Sequence, residues 1–496
     1  MTALSGVSGR LLAQSFIASI GQAELPAGAL AAQRSWMEVH QRAARELGAV
    51  STARTIFESV VLPLLVALGY ERVDDIHFAG PALAGAARGR SGVVAVVVAP
   101  WAHRLDAYWR FGVEAATGRG ARWCLLFNGL DVRIISGARL YSRRFTAIDL
   151  TCAAEQEDTR ALLWRLASAR VVTSDPPDDW SLDSLVAASD RFSAGVCRSL
   201  QHGVLEASAD VLSALVARDR DRRATSVDAA FEQALTIVYR VLFLLFAEAR
   251  SLVPIWHAVY RESYSINALR DLAEKPGAAP GLWDCLRAIA RLAHAGCRAG
   301  DLHVRPFNGR LFSPARTPLA ERRDLDDRAA QRAVLALSTR PTQDRSGRER
   351  IVYSDLGVEE LGGVYETLLD YRPKLEHVPS SARARMPPVI RLETGSGVRK
   401  ATGTFYTPRP IAEYLVRRTL GPLVRHATPD EILGLRVLDM SMGSGAFLVA
   451  GCRFLAAAYE RAMITSGSCQ PHDIDDGERA RFRQRIAERC LYGVDV

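Results

Sequence analysis

The sequence predicts a multidomain chain, α/β at both ends and helical in the middle, and three observations carry that prediction. A β-branched run, Val93-Val-Ala-Val-Val-Val98, is flanked by helical patterns and followed by a second apolar run from Trp123 to Phe127. From Trp180 to about Arg399, apolar residues recur at three- and four-residue intervals, the spacing of helices with one buried face. Near the other end, Leu435-Arg-Val-Leu-Asp439 is a short apolar run closed by an acid, and a glycine-rich turn follows it. With 496 residues, the chain exceeds what a single hydrophobic core organises.

Residues 1–50 read as a helical segment. The apolar tint from Leu11 to Ile20 is broken by Gln14 and Ser15 and has only Arg10 as a basic flank, which argues against a signal peptide. Residues 51–150 read as an α/β unit. Ser51 to Leu68 is a helix ending at Gly69, Gly92 to Ala99 a buried strand, and Leu105 to Thr117 a second helix. Trp123 to Phe127 then pairs through Asn128-Gly129 with Val132 to Ile135 as a hairpin.

Residues 151–400 read as a helical domain. Asp175-Pro-Pro-Asp178 is a turn between domains. Phe231 to Ala249 aligns Ala234, Ile237, Val238, Val241, Leu242, Leu245 and Phe246 as the buried face of a core helix, with Glu248 and Arg250 expected at a solvated end. Loops rich in Pro, Gly and Arg follow at Lys275 to Gly281, Ser338 to Arg350 and Val378 to Pro388, and the last two are expected to order only on binding. The arginine run from Arg340 to Arg350 reads first as a solvated loop and second as a phosphate contact.

Residues 401–496 carry the chemistry. Gly403-Thr-Phe-Tyr-Thr-Pro408 ends with proline at a helix start, and Ile411 to Leu420 has helical periodicity. After the Leu435 to Asp439 strand, Gly443 and Gly445 let the backbone turn sharply and a ligand approach it, ahead of a helix from Ala446 to Ala462. A helix from Arg481 to Cys490 then leads into a second strand, Leu491-Tyr-Gly-Val-Asp495, whose acid suits the two hydroxyls of a ribose. The spacing Gly-x-Gly-x-x-Leu lacks the third glycine of a dinucleotide site, so a methyl donor fits better than NAD.

These segments resemble the DNA adenine-N6 methyltransferases of the γ order, particularly the large methylases of type IIG restriction-modification and related phage-defence systems. Gly403 to Pro408 matches motif X, Asp439 to Leu448 motif I and Tyr492 to Asp495 motif II. Phe231 to Pro254, Phe307 to Phe312 and Leu361 to Leu369 resemble that family's helical domain. The resemblance implies that Phe405, Tyr406, Thr407 and Pro408 wall the methionine part of S-adenosylmethionine and that Asp439 faces its ammonium. It also implies that Ser441, Met442, Gly443, Ser444 and Gly445 form the cofactor turn, that Phe447 packs beside it and that Asp495 holds the ribose. The expected partner is double-stranded DNA.

In that family the methyl group is transferred at an Asn/Asp-Pro-Pro-aromatic loop after motif II, which holds the flipped adenine. No such loop occurs in this sequence, so no catalytic residue is assigned and the chain is expected to be inactive alone. The catalytic loop and target-recognition domain are then expected in further sequence or on a second chain. Asp175-Pro-Pro-Asp178 is no substitute, because Asp178 replaces the aromatic and no apolar strand precedes it. The alternative expectation is a noncatalytic scaffold that binds DNA or a partner and keeps a remnant donor site.

Residues 51–150 in turn resemble the amino-terminal nuclease-like domain of many restriction enzymes. That fold cuts with an Asp and a Glu-x-Lys that hold Mg²⁺ on the central strand. Here the strand reads Val93 to Val98, while Asp74, Asp75 and Glu114 are expected as solvated acids at helix or loop positions. The expected architecture is therefore a degenerate nuclease-like α/β/α domain, a helical middle domain and the start of a Rossmann-like S-adenosylmethionine-dependent methyltransferase domain.

The formal net charge is +8, and only Lys275, Lys374 and Lys400 are lysines among 63 basic residues. Arginine suits phosphate contact, but a coding bias explains the excess equally well, so charge adds little to the DNA expectation. Eight cysteines, at 124, 152, 197, 285, 297, 452, 469 and 490, are scattered and show no Cys-x-x-Cys. They read as reduced thiols of a cytoplasmic protein without a metal site. The apolar runs Val93 to Ala99 and Val241 to Ala247 are too short to span a bilayer, so a soluble protein is expected.

Overall fold

A computed structural model describes residues 4–20, 28–137, 144–217, 226–277, 279–307, 309–322, 326–342, 347–357, 360–364, 371–376, 389–394, 407, 409–443, 445–469, 474 and 476–494. The chain divides into two compact units, Met1–Val196 and Cys197–Val496.

The first unit is built on a seven-stranded sheet. Its strands are β1 (Val7–Gly9), β2 (Arg72–Ala79), β3 (Ala82–Arg88), β4 (Val93–Val98), β5 (Trp123–Phe127), β6 (Asp131–Ser136) and β7 (Phe145–Asp149), in the order β1-β7-β6-β5-β4-β3-β2. Neighbours run antiparallel except β4 and β5, which are parallel with Ala95 opposite Cys124 and Val98 opposite Phe127. A parallel pair needs a crossover, and the helix Trp109–Gly118 supplies it, entered through a 3₁₀ turn at Leu105–Tyr108 rather than as one helix from Leu105.

Both faces of β4 are covered, which is why its sequence is apolar throughout. Val94, Val96 and Val98 face a core that also holds Leu11 and, from the amino-terminal helices Gln14–Ile20 and Ala29–Glu46, Ile17 and Trp36. Ala95 and Val97 face a second core with Trp109, Val113 and Ala116. The helix expected from Ser51 to Leu68 is present but contains a π turn at Phe57–Val61, between Ala53–Ile56 and Leu62–Ala67. The Leu62 amide reaches back to Phe57 O, and the next residue, Pro63, has no amide with which to continue a regular ladder.

Asp74 and Asp75 are not on a helix or loop but on β2, where the register shifts between Asp74 and His77 and Asp75 takes φ 51°. The bulge re-aims these side chains, and a short polar residue tolerates the left-handed backbone. Glu114 is helical and exposed, 2.8 Å from Arg110.

In the second unit the helices Val227–Glu248, Ile266–Ala273, Leu282–Ala295 and Asp327–Ser338 form the helical part. Val227–Glu248 is long and apolar enough to cross a membrane, yet 67% of its most apolar window is buried inside the unit. Three antiparallel hairpins accompany them: β8 (Cys297–Ala299) with β9 (Leu302–Val304), β10 (Thr339–Pro341) with β11 (Arg348–Arg350), and β12 (Tyr371–Glu376) with β13 (Val389–Thr394).

Glu248 departs from the expected solvated helix end, being only 4% exposed. Its carboxylate accepts from Ile266 N at 2.6 Å, Asn267 N at 3.1 Å and Asn267 Nδ2 at 2.6 Å, so it caps the next helix. Arg250 lies over the Phe246 ring at 3.7 Å and donates to Tyr353 O and Leu356 O. The Arg340 to Arg350 run likewise departs from a loop, since its ends pair as β10 and β11. Arg340 meets Glu349 at 2.6 Å, and Arg350 meets Glu274 at 2.6 Å and Asp271 at 2.9 Å. Residues 343–346 and the run from Val378 to Pro388 lie outside the described residues.

The carboxyl-terminal part holds the helices Arg409–Val424, Pro429–Gly434, Ala446–Thr465 and Asp476–Cys490 around β14 (Val437–Asp439) and β15 (Leu491–Gly493). The two strands are parallel, with Val437 opposite Leu491 and Asp439 opposite Gly493. One face packs on a core that includes Ala412, Val416, Ile432, Leu455, Tyr459, Phe482 and Ile486. Elsewhere Leu438, Met440, Tyr492 and Val494 remain 46–75% exposed. Apolar strands left open in this way favour association. The chain is therefore expected to self-associate with rising concentration in sedimentation velocity runs, and Leu438→Glu with Tyr492→Glu should reverse it. A wild-type monomer at all concentrations would contradict this.

Candidate functional site

The turn after β14 is held from both sides by the main chain. Val494 N donates to Asp439 O at 2.9 Å, and Met442 N donates to Val494 O at 3.0 Å, so the chain beyond β15 clamps the turn. Gly445 N closes it on Met442 O at 2.7 Å. Gly443 (φ 49°) and Gly445 (φ 77°) take the left-handed conformation that a side chain disfavours. A Cβ placed on either would meet nothing within 4 Å among the described residues.

Asp439 stands at the base of the turn. One carboxylate oxygen, Oδ1, accepts from Ser441 N at 3.2 Å, in the local pattern that aspartate makes at turns. The other, Oδ2, is buried and has no hydrogen-bond partner among the described residues. A buried carboxylate oxygen without a donor is costly, and a cationic or N–H group placed against it would relieve that cost. Gly445 caps the 20-residue helix Ala446–Thr465 without any side-chain hydrogen bond. Its first-turn amides thus present positive partial charge toward the turn.

The structure brings Asp439, Ser441, Met442, Gly443, Gly445 and Phe447 together. Ser441 is exposed, Met442 half-buried, and Phe447 packs against the carboxyl-terminal core. Thr407 is half-buried and precedes the helix Arg409–Val424, which packs on Ala446–Thr465. Phe405, Tyr406, Pro408, Ser444 and Asp495 lie outside the described residues.

A second location is the one where the nuclease-like resemblance would place its acids. Positions 95 to 98 of β4 are fully buried by apolar neighbours, and no carboxylate stands on the strand. Asp74 is engaged by Arg88 at 2.6 Å and Arg72 at 3.1 Å, and Asp75 by Arg119 at 2.6 Å. Among the described residues no group of three His, Cys, Asp or Glu side chains is placed to hold a metal. Asp175 accepts from Arg122 Nη2 at 2.7 Å, and the element before it is the helix Ala169–Val172 rather than a strand.

No protein-family model and no curated protein matches the chain. Among solved structures it is similar to one described as "cryoEM structure DrdV-DNA complex", with 14% sequence identity and a TM-score of 0.24. The match covers 87% of this chain and 36% of that one, so the chain spans little more than a third of its length.

Two features of the turn were missed in the sequence. Gly493 faces it so closely that a Cβ there would lie 2.2 Å from Met442 Sδ and 2.8 Å from Leu448 Cδ1. A glycine one place before Val494, within an otherwise apolar strand, is the available signal for such a close approach. The unpartnered oxygen of Asp439 has no sequence signal, because it depends on which donors the fold leaves away.

Proposed function

We propose that this chain is a component of an S-adenosylmethionine-dependent DNA adenine-N6 methyltransferase of a restriction-modification or phage-defence system, contributing the donor-binding turn. The observation that carries the reading is Asp439, whose buried Oδ2 lacks a donor among the described residues and stands beside two left-handed glycines, Gly443 and Gly445. A ligand ammonium would answer that oxygen, and the bare turn from Ser441 to Gly445 would let the rest of the ligand lie along the backbone. When bound, S-adenosylmethionine supplies an activated methyl group on sulfur. The residues of this chain bind and orient; the groups that would hold the adenine are assigned to further sequence or a second chain, and double-stranded DNA is the proposed partner.

Calorimetric titration of the full chain with S-adenosylmethionine and with S-adenosylhomocysteine tests the reading without requiring turnover. Asp439→Ala is expected to weaken both by about tenfold or more, the worth of a hydrogen bond to a charged group of ~1.5–3 kcal/mol. Equal affinity of the variant and the parent chain would exclude the assignment.

A second reading, a noncatalytic scaffold for DNA or a protein partner with a remnant donor site, is favoured by the exposed Leu438, Met440, Tyr492 and Val494. Duplex binding by a chain that takes up neither donor nor product would decide for it. In both readings the apolar β4 and the arginine-paired Asp74 and Asp75 support a nuclease-like domain that does not cut. Supercoiled plasmid incubated with the full chain and Mg²⁺ is expected to stay intact; nicks that EDTA prevents would contradict this.

A further inference from the structure

A cavity of about 330 Å³ lies in the second unit and contains none of the residues of the glycine turn. Arg198, Ser199, His202 and Glu206 line it from the helix Leu182–Ala217, and Thr339 and Arg348 from the β10–β11 hairpin. Gly203 and Ala336 also line it. At Gly203 an added Cβ would lie 2.1 Å from Ala336 O, so this helix touches the end of Asp327–Ser338 backbone to backbone.

The charges around the cavity are not balanced as they are nearby. Arg332, Arg340 and Arg350 each meet a carboxylate, Asp210, Glu349 and Glu274 respectively. Arg198 and Arg348 meet none among the described residues. Arg348 is nonetheless held in place, its Nε donating to Thr339 Oγ1 at 2.7 Å and its Nη2 to Thr339 O at 3.1 Å. Glu206 is 3.2 Å from His202 Nε2.

The negative end of the helix Asp327–Ser338 is also answered within the fold. Ser338 Oγ donates to Val334 O, Thr339 Oγ1 to Leu335 O and the Tyr353 hydroxyl to Leu337 O, each at 2.6 Å. What faces a ligand is the Arg198 guanidinium, the remaining N–H groups of Arg348 and the Ser199 hydroxyl, beside a His202 imidazole paired with the one carboxylate of the lining, Glu206. A cavity of this volume suits a small ligand, and arginine forks match phosphate oxygens.

We propose that this cavity binds a phosphate group, carried either by a free nucleotide or by the backbone of a nucleic acid. The proposal stands apart from the donor-site reading and survives its failure. The test uses the full chain and the exposed Arg198→Ala, with Arg198→Ala/Arg348→Ala as a second variant and Arg261→Ala as an exposed arginine control outside the cavity. Inorganic pyrophosphate and AMP are titrated by calorimetry, and a fluorescent DNA duplex is titrated by anisotropy across a salt series.

If the source is a free nucleotide, Arg198→Ala weakens pyrophosphate and AMP by about tenfold and leaves duplex binding unchanged. If it is a nucleic acid backbone, the slope of log affinity against log salt falls by about 1 in Arg198→Ala and further in the double variant. Either result supports the site, and loss of folding in the double variant leaves Arg198→Ala to decide. No change in either titration overturns the proposal, as does an equal change in Arg261→Ala.

Discussion

Gly203→Ala is expected to destabilise the protein by roughly 2 kcal/mol, against the ordinary preference of helices for alanine. Alanine inside a helix is favoured over glycine by about 1 kcal/mol. At Gly203, however, the added methyl would lie 2.1 Å from Ala336 O and 3.0 Å from Ala336 C, both backbone atoms that cannot swing aside as a side chain can. Overpacking of this kind costs about 1–3 kcal/mol, and the upper end applies where two backbones meet, so the clash wins. Gly195 provides the comparison within the same helix, since a Cβ there meets nothing within 4 Å. Thermal unfolding should therefore show Gly203→Ala lowering the midpoint by several degrees and Gly195→Ala raising it. A rise in both would mean that the two helices do not touch at Gly203.

Stability is also expected to fall as pH rises from about 4.5 to about 7, through Glu248. Burial pushes its carboxyl up to about 7, against the hydrogen bonds from Ile266 and Asn267 and the charge of Arg270, which act to hold it down. The folded state then binds a proton that the unfolded chain, with a carboxyl near 4.5, has already released in that window. The stabilisation is complete below pH 4.5, is lost on the way to pH 7 and changes no further above it. At about 1.4 kcal/mol per pKa unit, the loss is roughly 3 kcal/mol. Urea midpoints measured across this range should slope downward in the parent protein, and Glu248→Gln, which cannot ionise, should remove that part of the slope. An unchanged slope in the variant would acquit Glu248. Glu248→Ala should be worse than Glu248→Gln at every pH, because it strands the two amides that the carboxylate caps.

Legibility from sequence followed how local each determinant is. The strand Trp123–Phe127 was read with its bounds intact, because a five-residue apolar run ending at Asn-Gly is complete in itself. The glycine turn and its helix were read for the same reason, Gly445 being followed at once by good helix formers. By contrast, β3 is Ala-Leu-Ala-Gly-Ala-Ala-Arg, a composition with little strand preference. Its small residues make sense only beside β2, where a Cβ on Gly85 would meet Val73 Cγ1 at 3.3 Å and Asp74 O at 3.4 Å. Nothing near Glu248 in the sequence announces the helix it caps at Ile266, so a solvated terminus is what the sequence alone predicts there. Within the candidate site, the residue types of the turn were legible, whereas the clamp by Val494 and the lone oxygen of Asp439 arise from strands some fifty residues apart.

The pairing of β1 with β7 sets the order in which the first unit can be completed during synthesis. Val7–Gly9 lies opposite Ile148, Ala147 and Thr146, and Arg10 N and Leu11 N both donate to Phe145 O. The partner strand therefore leaves the ribosome on the order of ten seconds after β1 does. Throughout that interval Leu11, Leu12 and Ile17 have no finished core to enter, and β1 offers an unpaired strand edge. A factor that shelters nascent apolar segments would act on this unit before residue 149 emerges and lose its hold once β7 is made.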